Sequence, residues 1–574
     1  MSAIKLLPVV FLLVLTGCGE RKPVFESPLL KNIGDYSVPV TTSSKYARQF
    51  FNQGLIMANA FNHGEAERSF REAVRLDTAF AMGYWGIAYV LGPNLNSADN
   101  LGAASEIHRA VSRAGHFSGS ASAWEKALID AFMVRFPADS AAADDEGFAR
   151  SMKLAYEQFP GHTLLTTLYA ECLMNRHAWD FFDGKGGQAR PWTPGILSLL
   201  EEALAAEPEN PLANHLYLHA TESGSDFTKA LECAERLKKL VPSAGHLVHM
   251  PSHIYINTGD YHEGSLANED AVKADSAYIA ECRVQGYYPQ MYYTHNYHFL
   301  AATAAFEGRA ARSIEAAFKT AGLVESRYYH EPGFETVQHY LTIPDHILVK
   351  FAQWEKILAL PAPAADLLYP GAIRHYARGM AYANTGKPEA AGKELEQLNE
   401  LAGSPLLEGQ MIWGINHVSE VCRIAALVLQ AEILAAAGRP QQALPLLADA
   451  VRIEDRLNYT EPPDWFFSVR HALGALLLQA GDAPQAEKVY REDLARWPRN
   501  GFALNGLAES LAAQARTAEA EAVRAQFAEA WQYADTELTA SRVDPAKRKN
   551  LTLKIDASSP AGLIALSGAM CAGR

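Results

Sequence analysis

The feature that most constrains this chain is a spacing of small and aromatic residues that returns along its length. Val469 to Pro498 reads VRHALGALLLQAGDAPQAEKVYREDLARWP, with Gly474, Ala486, Tyr490 and Pro498 at fixed intervals and Gly481 between two apolar stretches. Small residues let two helices of a hairpin approach closely, the aromatic fills the space between them, and Pro ends the second helix. Gln53 to Asp77 repeats the frame with Gly54, Ala66, Phe70 and Ala73, as do the segments around Gly379 and Gly438. Weaker units begin near Ala81, Ala121, His162, Pro211, Gly245, Gln290, Glu335 and Asn500. That predicts roughly nine to twelve helical hairpins at a period of about 34 residues. One hairpin cannot bury its own apolar face, so stacking must supply the core. The expected fold is all-α, a curved solenoid of helical hairpins with a concave groove, and no strand series is visible.

These intervals resemble those of the tetratricopeptide repeat (TPR). Three stretches interrupt them: the Gly-rich Asp180 to Gly195, then Ala280 to Pro289, and the tail from about Ser541 to Arg574. The first either covers the groove or forms a plain surface loop; the tail reads as poorly ordered. The expected plan is a leader over 1–17, a linker over 18–45, hairpins over 46–160, a His-rich middle over 161–360, further hairpins over 361–540, and the tail over 541–574.

The leader has one basic residue, Lys5, an apolar run from Leu6 to Leu15, and then Leu15-Thr16-Gly17-Cys18. A charged start, a short apolar run and small residues before a break mark a secretory signal. The run is too short to span a bilayer, which takes about 20 residues. LTGC resembles the lipobox of bacterial lipoproteins, which implies acylation (a palmitate-type anchor) at Cys18. Gly19 in place of Asp implies the outer membrane of a bacterial envelope, with the rest of the chain tethered by lipid. The 51 basic and 65 acidic residues leave a net charge of −14, which argues against a nucleic-acid partner. Cys172, Cys233, Cys282, Cys422 and Cys571 are scattered, odd in number and in no paired spacing, so neither a disulfide framework nor a thiolate metal site is expected.

The chain has 19 histidines, and nine of them fall into register in its middle. His215 and His249 are 34 residues apart, as are His219 and His253. With turns anchored at Gly259, Gly308 and Ala352, three places emerge. His215, His249 and His298 hold one. His246, His295 and His339 stand three residues ahead of it, and His219, His253 and His346 four beyond it. Offsets of three and four share one helix face. In tetratricopeptide arrays that face lines the groove. A histidine copied with its repeat would explain the coincidence of spacing, but not the shared inward face. Pro251 and Pro344 fall among these places and must begin or kink their helices.

Converging imidazoles without thiolates suit Zn, Cu, Ni or Fe. The register puts Glu222 and Glu171 in the same groove, each a candidate ligand, orienting partner or general base. The rival ligand is an anion or peptide carboxylate held by histidines and by Tyr287, Tyr288, Tyr292, Tyr293 and Tyr297, though packing explains most of these tyrosines. No phosphate-binding Gly loop, GxSxG, HExxH or CxxC is present. Leu168–Trp179, Asn214–Glu222, Gly245–Tyr255, Tyr293–Leu300 and Glu461–Leu478 resemble a family of bacterial tetratricopeptide-repeat proteins of undefined role, which implies only ligand or partner binding. Two functional classes result. One is a membrane-anchored scaffold receiving a protein or peptide partner. The other is a histidine groove that holds a transition metal, Zn or Cu foremost, with or without catalysis.

Overall fold

The computed structural model describes residues 24–96, 103–138, 142–184 and 186–544, with the backbone of 553–555 and 564–566. The leader, Cys18, Cys571 and most of the tail lie outside the described residues. The described chain is an all-α solenoid. Antiparallel hairpins follow one another from Lys45–Asn59 with His63–Leu76 to Gly501–Ala513 with Thr517–Ala530. Strands are confined to two-stranded antiparallel pairs, such as 411–412 with 416–417. No helix is long and apolar enough to cross a membrane among the described residues.

The repeat frame works as its residues dictate. A Cβ at Gly54 would stand 2.8 Å from the Phe70 ring, and one at Gly474 would run into Tyr490. The hairpin turns need left-handed backbone, supplied at Gly259 (φ 82°), Gly308 (φ 77°) and Gly481 (φ 84°). Ala352 adopts φ 51° at the corresponding turn, accepting a conformation that glycine adopts with less strain. The weak anchor in the register is therefore a real turn.

The array coils tightly enough for distant hairpins to touch. His215 reaches the backbone carbonyl of Asn59 at 2.6 Å, and the Tyr278 hydroxyl donates to Asn62 at 3.0 Å. Further on, Tyr261 donates to the Pro498 carbonyl (2.9 Å), and the Asp535 carboxylate accepts from the N–H groups of Ala310 and Ala311 (2.7 and 3.1 Å). Hairpins far apart in the chain are thereby bonded to one another. Two large apolar cores result, one running from Val38 to Ile254 and the other from Ile256 to Val543.

The segment expected as a linker is strapped onto the array over its described part. Val38 and Val40 are buried, the Thr41 N–H donates to Glu125 at 2.7 Å, and the Asn32 carbonyl accepts from Ser243. Residues 541–544, the described start of the tail, are also held. Strands 538–539 and 542–543 pair, buried Ser541 bonds Tyr490 (2.8 Å), and Arg542 pairs with Glu432 (2.9 Å). Cys172, Cys233, Cys282 and Cys422 are free thiols.

Candidate metal centre

The site lies where the two cores meet. His215 and His219 stand on the helix Pro211–Thr221, capped by the Asn210 side chain. His246 and His249 occupy the short helix Gly245–His249, and His253 the helix that begins at Pro251. Pro251 thus starts a new helix, as its missing N–H requires, yet His249 and His253 still meet across the break. His295 and His298 are on Thr294–Phe306, entered through one π-helical turn over Pro289–Tyr293.

Six of the nine histidines come together as two groups, His215 with His219 and His246, and His249 with His253 and His295. Within each group one ring nitrogen from every residue lies within 4.8 Å of the others. His215 Nε2 faces His246 Nε2 at 3.1 Å, and His249 Nε2 faces His253 Nε2 at 2.9 Å. The opposite ring edges are pinned by acceptors. His215 Nδ1–H donates to the Asn59 carbonyl, and His219 Nδ1–H to Glu222 (3.0 Å). His249 Nδ1–H donates to Asn268 Oδ1 (2.6 Å), an amide whose nitrogen is committed to the Gly264 carbonyl (2.7 Å). His253 Nδ1 lies 2.6 Å from Glu222 and 3.0 Å from Glu461. With Nδ1–H engaged, the lone pairs of His215, His219 and His249 sit on Nε2, turned inward, while His253, paired with two carboxylates, turns an Nε2–H toward His249.

Burial sets the charges. It pushes His215, His246, His249 and His295 well below the usual imidazole range, and neighbouring imidazoles push the same way. These rings are neutral and able to coordinate. His253 goes the other way: burial opposes its charge, but Glu222 and Glu461 outweigh that and raise it. Burial would raise Glu222, yet His253 and His219 hold it low. His219 Nε2 and His246 Nδ1 are buried without a hydrogen-bond partner.

A cavity of about 320 Å³ opens on this cluster, bordered by Phe61, Trp179, Tyr292 and Trp413 among others. Trp179, the residue before the Gly-rich insertion, packs edge-on against His219 at 5.1 Å. The insertion itself is held by the Gly186 N–H on the Ser223 carbonyl at 2.9 Å, and none of its described residues borders the cavity. Of the tyrosines, Tyr287 and Tyr292 border the cavity, while Tyr288 donates inward to Asp275 (2.7 Å) and Tyr293 packs on Tyr297.

The remaining sequence candidates stand apart. Glu171 is not with the imidazoles; it accepts from the Tyr89 hydroxyl at 2.9 Å, and burial raises its carboxyl to about 7. The register placed it one hairpin early, where Tyr89 closes it off. His298, His339 and His346 continue the row without joining either group. His298 stacks on Phe466 at 5.2 Å, His339 bonds the Tyr369 hydroxyl (2.9 Å), and His346 meets Trp465 edge-on. Sequence reasoning missed Glu461, which comes from the long connection between Pro440–Glu454 and Arg470–Gln479. The length of that connection was the available signal.

Residues 374–405 match the family model described as tetratricopeptide repeat. They span the end of one helix and its partner, Leu368–Asn384 and Pro388–Ala402. The chain carries this kind of repeat and has its fold. No curated protein matches. Among solved structures, yeast Tom70 is similar at 14% identity, over 84% of this chain and 96% of that one, with TM-score 0.30. A human IFIT1 dimer with m7Gppp-AAAA gives 11% identity, 85% and 91% coverage and TM-score 0.30. The Cut9 complex Cut9-Hcn1 gives 14%, 81% and 76%, with TM-score 0.29. The fold assignment rests on this chain's own hairpins.

Proposed function

We propose that this solenoid is a transition-metal-binding protein, each histidine triad holding one ion beside the 320 Å³ cavity. The observation that carries the reading is the pair of inward Nε2 contacts, 3.1 and 2.9 Å, in which His215, His249 and His253 are fixed from behind by acceptors. Tetrahedral ligands about 2.05 Å from a zinc-sized ion stand about 3.3 Å apart. Each contact is now bridged by a single proton, and a cation in the triad would take that proton's place between the two nitrogens. The acceptors behind the rings are the outer partners that orient metal-binding imidazoles. Glu222 serves two of them and is therefore an orienting group, not a free base. All-nitrogen sites of this kind favour Zn or Cu among the candidates.

The test is elemental analysis of the full chain purified without an affinity tag. Stoichiometric Zn or Cu is expected, lost when His215 and His219 are both replaced by Ala while helicity persists. A chain that carries no transition metal, and takes up none when Zn or Cu is added, overturns the reading.

The cavity beside the ions leaves room for a small ligand or a peptide side chain from a partner, consistent with a binding role for the repeat array. We further propose display on a bacterial envelope through acylated Cys18, supported by the LTGC tetrapeptide and the leader before it. Cys18→Ser should release the chain from the membrane fraction; unchanged membrane association would refute the anchor.

A further inference from the structure

A second cavity, about 650 Å³, lies in the C-terminal core, bordered by Trp354, Tyr376, Trp465 and Phe467. It is separate from the triads and no part of the metal reading. Lys350, at the end of the helix Ile343–Lys350, borders it, with the amine over the Phe502 ring at 3.5 Å. That amine donates to His471 Nδ1 at 2.7 Å. His471 Nε2–H donates in turn to buried Asp493 at 2.9 Å, and Asn500 holds the same carboxylate oxygen at 2.6 Å. Asp493 thereby fixes the tautomer whose lone pair faces the amine. A nucleophile hydrogen-bonded to a base, itself oriented by a third group, is the arrangement that activates side chains for covalent chemistry.

We infer that Lys350 is a nucleophilic amine that condenses with an aldehyde or ketone bound in the C-terminal cavity, with His471 as its base and Asp493 positioning the imidazole. The Nζ lone pair adds to the carbonyl carbon, and an Nζ proton passes to His471 Nδ1. His471 returns that proton to the alkoxide, giving the carbinolamine, and then relays the second Nζ proton to the departing hydroxyl, which leaves as water as the C=N bond forms. The sum is amine plus carbonyl giving imine plus water, with no oxidant or reductant. Burial supports the free amine: it brings Lys350 down to about 7, with Asp493 opposing and Arg542 assisting. The aromatic walls suit an aromatic or other apolar body on the carbonyl compound.

The experiment treats the full chain with benzaldehyde and cyanoborohydride at neutral pH and maps the trapped adducts by peptide mass spectrometry. Lys350 should be modified faster than the other lysines by at least about tenfold, because ordinary lysines are almost wholly protonated there. Lys350→Arg should abolish that adduct with helicity unchanged. Asp493→Asn should slow it, and Asp493→Glu restore it. Adducts spread over exposed lysines with Lys350 among the last, or an Asp493→Asn chain labelled at the original rate, would overturn the inference.

Discussion

In the hairpin around Gly474, the Tyr490 ring fills the space between the helices, its hydroxyl bonded to Ser541, with His471 and Asp493 paired beside it. In the hairpins that carry His215 to His253, imidazoles and carboxylates fill the corresponding space, equally buried. The same backbone frame thus tolerates two fillings. The apolar one contributes stability through burial, at about 25 cal/mol per Å². The polar one costs desolvation unless each group has a partner, and unpaired ones are expensive. Where imidazole nitrogens remain bare, as at His219 Nε2 and His246 Nδ1, stability has been given up at a place where chemistry benefits.

Four measurements can break or sharpen that contrast. Glu222→Ala strips the acceptor from two buried imidazoles. It should cost about 3–5 kcal/mol, the usual loss on breaking a buried ion pair from one side, read as a fall in the denaturation midpoint; a loss under 1 kcal/mol would mean the middle is looser than drawn. Chelator treatment comes next. If the triads are loaded, it should lower stability by about 3 kcal/mol for an ion at a hundredfold excess over its Kd, and Gly474→Ala should leave that difference unchanged. Gly474→Ala itself overpacks the apolar hairpin against Tyr490 and should cost about 1–3 kcal/mol without altering metal content. The smallest effect concerns pH. Burial raises Glu454 from 4.5 to about 8, with the Val469 N–H and Arg470 opposing. A carboxyl raised on folding contributes stability in full below its unfolded pKa. That contribution fades as pH climbs from 4.5 through about 8. Glu454→Gln should therefore flatten the decline of thermal stability across that range, and an unchanged slope would remove Glu454 as its source.

The histidine row was legible because repetition writes the same helix face at a fixed interval, so His215 with His249 and His219 with His253 could be aligned by counting. The turn at Ala352 was legible for the same reason. Counting could not show where the row divides, because His298 differs from His295 in what lies opposite: it stacks on Phe466, and neither of its ring nitrogens meets a partner among the described residues. Nor could it find Glu461, which arrives from more than 200 residues away on a non-periodic loop, or the Asn59 carbonyl, which is backbone and leaves no mark in residue type. Glu171 shows the opposite failure, a residue in the right phase whose neighbour Tyr89 claims it. Periodicity reports which face a residue shares; it says nothing about what the coil brings across to meet it.

The clasp between Asp535 and the helix that starts at Ala310 spans 225 residues. A linear repeat array can nucleate anywhere and fray from its ends, since each unit knows only its neighbours. Joining units so far apart introduces high contact order, which slows the search for the native state. In exchange the ends lose their freedom to fray alone. Unfolding should then run as one broad cooperative event, with amide exchange in the terminal hairpins nearly as slow as at the centre.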